Sequence, residues 1–353
     1  MGALTTVHSG ASSNLHEVNG VNAFVWTLAA GLVARGHRVA LLINDPDEEA
    51  RAFAKERGIT LQARWDGARP DVLHCHSVFI PTQAGLCRSA RRKRIPYVIT
   101  PNGGLAEEVL DRGRLKKRIY STLIERPRFY GSSAVTCVSP GELRQVSAFV
   151  PNYRGRVEVI PNAIETAGLK RISWRRQEIR ERRKLVYLGR FDAQHKGLDL
   201  LAAVAANLTE TDIHVYGAGV STFGSAGRPP NMLVHGPVYD EEKIAALLDA
   251  DMYVQMSRWE AFGVSVAEAM ALGVPCAISE AMSLAPLFRE SDLGLVVSLD
   301  PRIAATMIRA ALSDAVSLNS WGASGRVHAH RAFSVDVVAE AYARLYQTCS
   351  QTC

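Results

Sequence analysis

Two glutamates, Glu260 and Glu268, stand eight positions apart in the run Ser257-Arg258-Trp259-Glu260-Ala261-Phe262-Gly263-Val264-Ser265-Val266-Ala267-Glu268. Met252-Tyr253-Val254-Gln255-Met256 before them reads as a buried strand. The Ala-rich run that closes at Gly273-Val274-Pro275 reads as a helix. Strand, loop and helix put Glu260 in the loop and Glu268 about a turn into the helix. The N–H groups of Phe262, Gly263 and Val264 then lie at a helix start, a natural seat for phosphate. Carboxylates beside such a seat suit the hydroxyls of a sugar or ribose, because ionised acceptors make the stronger hydrogen bonds. A bare pair of glutamates at this spacing is ordinarily a solvated helix face; the Phe-Gly and the Gly-Val-Pro ending favour function.

A second pair of charges has the opposite sign. In Gly189-Arg190-Phe191-Asp192-Ala193-Gln194-His195-Lys196-Gly197, two cations flank a turn that follows the apolar run Leu185–Leu188 and opens into a helix. Cations there would hold a diphosphate and stabilise it as a leaving group. Near the start of the chain, Val7-His8-Ser9-Gly10 leads through a loop to Gly20, where a phosphate or acceptor can approach the backbone. The loop is not G-x-G-x-x-G, which weighs against a dinucleotide site. His74 and His76 alternate along Asp71-Val72-Leu73-His74-Cys75-His76. His74 is expected to be structural and His76 to line the mouth of a cleft. A metal pair is rejected because no third ligand is evident. Asp249-Ala250-Asp251 resembles a metal-binding D-x-D but sits where a helix ends and a strand begins, which explains it as a cap and turn.

Positioning these residues requires alternating strands and helices, and the chain supplies them. Leu4–His8, Val39–Ile43, Val72–His76, Tyr97–Thr100, Val135–Val138 and Val157–Pro161 form a first set of strand candidates. Leu185–Leu188, Ile213–Tyr216, Met232–His235, Met252–Gln255, Pro275–Ile278 and Leu295–Val297 form a second. Helical patterns intervene at Val25–Arg35, Leu198–Ala206, Glu241–Asp249 and Ile303–Leu312. The pattern predicts an α/β protein with two doubly wound, Rossmann-like domains, residues 1–165 and 166–333, facing a cleft. A last helix in 334–353 is free to pack back on the first domain. At 353 residues, 47% hydrophobic and 22% charged, the composition is that of an ordinary globular protein.

The net charge of +6 is unevenly spread. Residues 185–353 carry 11 Lys+Arg against 18 Asp+Glu, a net of −7, which leaves 30 against 17, a net of +13, for residues 1–184. Basic runs at Arg91–Arg94, Lys116–Arg118 and Arg182–Lys184 suit an anionic partner such as acidic lipid. No nucleic-acid motif accompanies them, so nucleic acid is not expected. The six cysteines form no C-x-x-C; Cys75, Cys137 and Cys276 read as core thiols and Cys349 and Cys353 as incidental. A reducing cytoplasm is expected, with peripheral contact at the inner membrane face.

Together these segments resemble the retaining glycosyltransferases of family 4, which have the two-domain GT-B fold. The resemblance covers nearly the whole chain and adds Arg35-Gly36-His37-Arg38-Val39, Thr100-Pro101-Asn102-Gly103-Gly104 and Ile160-Pro161-Asn162-Ala163 to the motifs above. It implies that Arg190 and Lys196 bind the donor's diphosphate, with Glu260 beside the donor sugar. Phe262, Gly263 and Val264 would offer backbone contacts, Glu268 would hold the ribose, and Val234 and its neighbours would lie along the base. Gly20, Asn102 and Gly103 would face the donor from the first domain, and His76 would stand on the acceptor side. Asn102 departs from the family's usual Pro-His-Gly, and an amide cannot take a proton as imidazole can. The implied reaction moves a hexosyl-type sugar from a nucleotide-diphosphate sugar to a glycan, glycolipid or small-molecule hydroxyl, with no metal or other cofactor. Alternatives are an epimerase or hydrolase on the same fold, and a non-catalytic protein that binds a sugar nucleotide or a membrane.

Overall fold

The computed structural model describes residues 2–15, 20–111, 114–176, 180–219 and 227–351. The chain divides into two compact units, Met1–Ala163 with Val335–Cys353, and Ile164–Ser334.

The first unit is built on seven strands: β1 (Thr5–Ser9), β2 (Arg38–Leu42), β3 (Thr60–Gln62), β4 (Val72–His76), β5 (Tyr97–Thr100), β6 (Ala134–Cys137) and β7 (Arg156–Val159). They are all parallel, in the order 3-2-1-4-5-6-7. The second unit has six: β8 (Arg183–Leu188), β9 (Thr211–Tyr216), β10 (Met232–His235), β11 (Met252–Gln255), β12 (Cys276–Ser279) and β13 (Leu295–Val297). These too are parallel, in the order 10-9-8-11-12-13. Both sheets are doubly wound, and the strand order reverses between β1 and β4 and again between β8 and β11. Ligands in such sheets bind beyond the carboxyl ends of the strands at the reversal.

β4, β5, β6, β11 and β12 are buried at every position, as strands covered on both faces must be. The Val335–Gln351 helix lies in the first unit, where Val338, Tyr342, Leu345 and Tyr346 join the core around Phe24, Leu28 and Val98. Cys349 is buried there as well, so it belongs to the core and is not incidental. Cys353 lies outside the described residues. The polar stretch after residue 164 is anchored by Trp174, whose N–H groups bond to Leu272 O (2.7 Å, backbone) and Ala250 O (2.6 Å, indole) within the second unit.

Candidate functional site

In the second unit, the loops that leave β8 and β11, the two strands at the reversal, carry the charged residues. Asp192 caps the one-turn helix Ala193–Lys196 by accepting from His195 N–H at 2.8 Å. Gly197 ends that turn at φ 65°, and a side chain there would collide with the Met256 carbonyl. Arg258 locks the two loops together. Its N–H donates to His195 O at 3.0 Å, and its guanidinium forks onto Asp199 (2.8 and 2.6 Å) and reaches Ala193 O at 2.7 Å.

This lock brings Lys196 Nζ onto Glu260 Oε2. Gln255, at the end of β11, donates to the same oxygen at 3.1 Å. Glu260 is fixed from behind by a bridge to Met282, with Ser283 N–H on its carbonyl at 3.0 Å. Burial pushes the Glu260 carboxyl up, but the Lys196 ammonium together with lesser neighbouring charges, Arg190 among them, outweighs it and holds the group below the usual carboxylate range. Glu260 is therefore ionised at neutral pH. His195, stacked on Trp259 at 4.6 Å, is pushed down to about 4 by burial and by Lys196, and is neutral. Arg190 stands apart from this pair: its side chain is half exposed and 3.9 Å from Asp192.

Phe262 is buried edge-on against Phe333, so its ring anchors the loop and only its backbone faces the site. Gly263, at φ 89°, starts the Val264–Leu272 helix, whose first intrahelical bond runs from Ala267 N–H to Gly263 O. The N–H groups of Val264, Ser265 and Val266 precede it and have no partner within the helix. Glu268 lies on this helix with one oxygen on Lys243 Nζ at 2.7 Å. Val234 is half-buried in β10, beside His235, whose ring stacks on Tyr216 at 4.4 Å. Asp249 and Asp251 pair with Arg180, Arg183 and Lys184 at the opposite ends of the strands, which agrees with their reading as a cap and turn.

In the first unit the structure corrects two expectations. His76 does not line an opening: it is fully buried, with its ring edge against Phe24. His74 and His76 alternate and so share one face of β4, and that face is covered by helices. A third imidazole is also present, because β1 pairs with β4 and sets His8 opposite His74. Among the described residues, His8, His74 and His76 form the one cluster of three metal-type side chains. Its ring nitrogens are used within the protein. His8 bonds to His76 (3.1 Å) and Thr6 (3.1 Å), and His74 to Tyr346 (2.6 Å) and Thr100 (2.7 Å), which leaves His76 Nδ1 as the orphan. Burial holds His8 down to about 3 and His74 and His76 well below the ordinary histidine range.

Gly20 is exposed and begins the Gly20–Ala34 helix. Asn102 and Gly103 form a turn with φ of 52° and 82°. The Gly103 N–H points inward to Glu142 Oε1 at 2.5 Å, so a ligand cannot use it. Sequence reasoning missed Gln255, Arg258, Lys243, Glu142 and His8. A polar residue ending an apolar strand was a signal for Gln255; the others are joined to the site only by the fold.

The model for glycosyltransferase family 4 matches residues 18–167, and that for glycosyl transferases group 1 matches residues 182–314. A phosphatidyl-myo-inositol mannosyltransferase of Mycobacterium tuberculosis is 28% identical over 202 residues, covering 54% of this chain and 53% of that protein. The matches span about half to two thirds of the length of the curated relatives. Among solved structures, a sucrose-phosphate synthase from Thermosynechococcus elongatus aligns with a TM-score of 0.75 at 18% identity, over 99% of this chain and 100% of the other. Anabaena HepE, in complex with UDP and glucose, aligns with a TM-score of 0.75 at 14% identity, over 98% and 100%. At such identities the likeness is one of fold. Two doubly wound units, each matched over most of its length by a glycosyltransferase model, place this chain in the family 4 glycosyltransferases of the GT-B fold.

Proposed function

We propose that the protein is a retaining glycosyltransferase that moves a hexosyl-type sugar from a nucleotide-diphosphate sugar to a hydroxyl of a glycan, glycolipid or small-molecule acceptor. The observation that carries the reading is the convergence of Lys196, Glu260 and the start of the Val264–Leu272 helix at the carboxyl ends of β8 and β11. Two cations and a row of unpaired N–H groups suit a departing diphosphate, whose charge grows as the glycosidic bond breaks. Lys196 and Arg190 supply positive charge where other enzymes use a metal ion, so no metal is needed in this reading. The acceptor hydroxyl attacks the oxocarbenium-like sugar from the face the diphosphate leaves, and the leaving phosphate takes its proton. Glu260, already paired with Lys196, orients sugar hydroxyls and is not the nucleophile. Glu268 holds the ribose, and Val234 borders the base. UDP is the first base to try, since HepE was solved with it.

A lipid-linked acceptor at an anionic membrane is favoured by a specific surface. Leu115, Ile119 and Leu123 repeat every four residues and are 73%, 53% and 70% exposed. Lys116, Arg118 and Arg126 flank them, and the sole acid of the segment, Glu125, is buried on Arg128 at 3.0 Å. By contrast, the basic run Arg180–Lys184 is taken up by Asp212, Asp249 and Asp251. No helix among the described residues is long and apolar enough to cross a membrane.

The test is thermal shift with UDP, GDP, ADP, CDP, dTDP, their sugar conjugates and NAD, followed by turnover with the conjugate that binds. Lys196→Ala should lower turnover by about two orders of magnitude, as loss of one transition-state donor does. Near wild-type turnover would remove the role given to Lys196. A shift with NAD alone would overturn the transferase reading.

A further inference from the structure

Glu142 is fully buried in the first turn of the Pro140–Phe149 helix, behind the Ser139 cap. Its two oxygens point in different directions. Oε2 accepts Val138 N–H at 2.7 Å, closing the end of β6. Oε1 accepts Gly103 N–H at 2.5 Å, from a turn 39 residues earlier in the chain.

That turn is held in a costly shape. Asn102 and Gly103 are consecutive residues at positive φ, and Asn102 Oδ1 is buried without a partner while Nδ2 reaches back to Thr100 O at 3.2 Å. A non-glycine residue in the left-handed region, even an asparagine, and an orphaned acceptor both disfavour the turn. Within the turn Gly104 N–H bonds to Pro101 O at 3.1 Å, and from outside it the Glu142 carboxylate is the group that reaches it.

We propose that Glu142 is the positioning residue of the Pro101–Gly104 turn, and that its negative charge is what keeps Asn102 presented: loss of the charge releases the turn. An ionised carboxylate accepts both N–H groups. A protonated one keeps a single good acceptor, and its hydroxyl then faces an N–H where it needs an acceptor. Val138 follows directly on β6 and is four residues from Glu142, whereas Gly103 lies in a separate turn 39 residues away, so the Gly103 bond is the one that yields.

The surroundings set where this occurs. Tyr342 faces Glu142 from the Val335–Gln351 helix and Cys137 from β6. Burial pushes both groups up, Tyr342 retaining part of that rise despite its hydroxyl bonds and Cys137 gaining further from the Glu142 charge, so both are neutral. Among the described residues no cation offsets the burial of Glu142, which raises it to about 7 against the two N–H bonds that lower it. The turn is locked above that pH and released below it. The effect on turnover rests on the glycosyltransferase reading, where Asn102 faces the donor; the effect on the turn does not.

The experiment is amide hydrogen exchange of the 100–106 segment of the whole protein from pH 8.5 to 5.5, corrected for intrinsic rates. Gly103 should lose about tenfold or more of its protection on acidification, as expected when a holding bond opens locally. Glu142→Gln should be poorly protected at every pH, and Glu142→Asp should restore part of the dependence. Once a donor is known, wild-type kcat should fall below pH 7 while Glu142→Gln stays low and flat, and nucleotide binding in the second unit stays unchanged. Protection of Gly103 that is independent of pH in the wild type, or unaltered in Glu142→Gln, overturns the proposal. If Glu142→Gln fails to fold, the wild-type pH series decides alone. If no turnover is found with any donor, exchange still tests the turn.

Discussion

Burial works against the charge on Glu260, and the neighbouring charges, Lys196 first, keep it, while the Gln255 amide donates to the same oxygen. Such pairs divide what a sequence discloses from what it hides. Lys196 and Glu260 were legible because each lies in a short Gly-flanked segment just past an apolar strand. The pairs Glu268–Lys243 and Gly103–Glu142 were not, because their partners come from helices whose own sequences carry no mark of the contact. His76 was misplaced for a related reason: alternation shows that two residues share a face, and only the packed helices show that the face is closed. The three histidines also give a pH prediction. Each is neutral in the folded unit and takes a proton near pH 6.5 when unfolded, so the unfolded state binds more protons and stability is lost as pH falls below about 6.5. Glu142 works the other way, because its raised value lets the folded state bind one proton. Three protons gained on unfolding against one lost leave a net loss of stability as pH falls through this range, on the order of a few kcal/mol per pH unit. Urea unfolding of the first unit, followed by exchange in β1 and β4 from pH 7.5 to 5, measures this; a flat profile would sink it.

Elements were legible where they are apolar and continuous. The strands Val72–His76, Tyr97–Thr100, Met232–His235, Met252–Gln255 and Leu295–Val297 were read with their observed limits. β3, three partly exposed residues at the sheet edge, offers no periodicity to read and was missed. The first helix begins at Gly20, five residues before its apolar pattern, because the Asn22 side chain accepts from Ser12 N–H and donates to Asn14 O. Tertiary contact there overrides weak propensity. The turn at Gly197 supplies a prediction at this scale. Gly197→Ala adds a side chain at positive φ against the Met256 carbonyl and should destabilise the second unit by about 2 kcal/mol or more. Nucleotide binding should weaken as well, because Lys196 is the adjoining residue. An unchanged melting temperature and nucleotide shift would show that the turn adapts. Likewise Tyr346→Phe strips the partner from His74 Nδ1 and should cost about 1–3 kcal/mol in chemical denaturation.

For the whole molecule, the asymmetry of charge gains meaning once the paired cations are set aside. What remains exposed beside an apolar stripe is Lys116, Arg118 and Arg126, and the prediction is specific to that stripe. The triple change Leu115→Ser, Ile119→Ser and Leu123→Ser should weaken sedimentation with phosphatidylglycerol vesicles by roughly two orders of magnitude and leave nucleotide binding intact. Equal binding by the triple variant, or no binding by the wild type at low salt, would reject the membrane reading. The division into two doubly wound sheets was legible from alternation alone; the last helix could only be left free to pack back on the first domain, since its pattern fits any covered sheet face. Its place has a consequence for how the protein is made. A ribosome releases β1 to β7, then all of the second unit, and only then the helix that supplies Tyr346 to His74. The second unit emerges with both of its ends, Ile164 and Ser334, already bridged to each other. The half translated first is thus the half that matures last, and until the closing helix arrives its core around Phe24, Leu28 and Val98 stays incomplete, the stretch of its life in which a chaperone has most to protect.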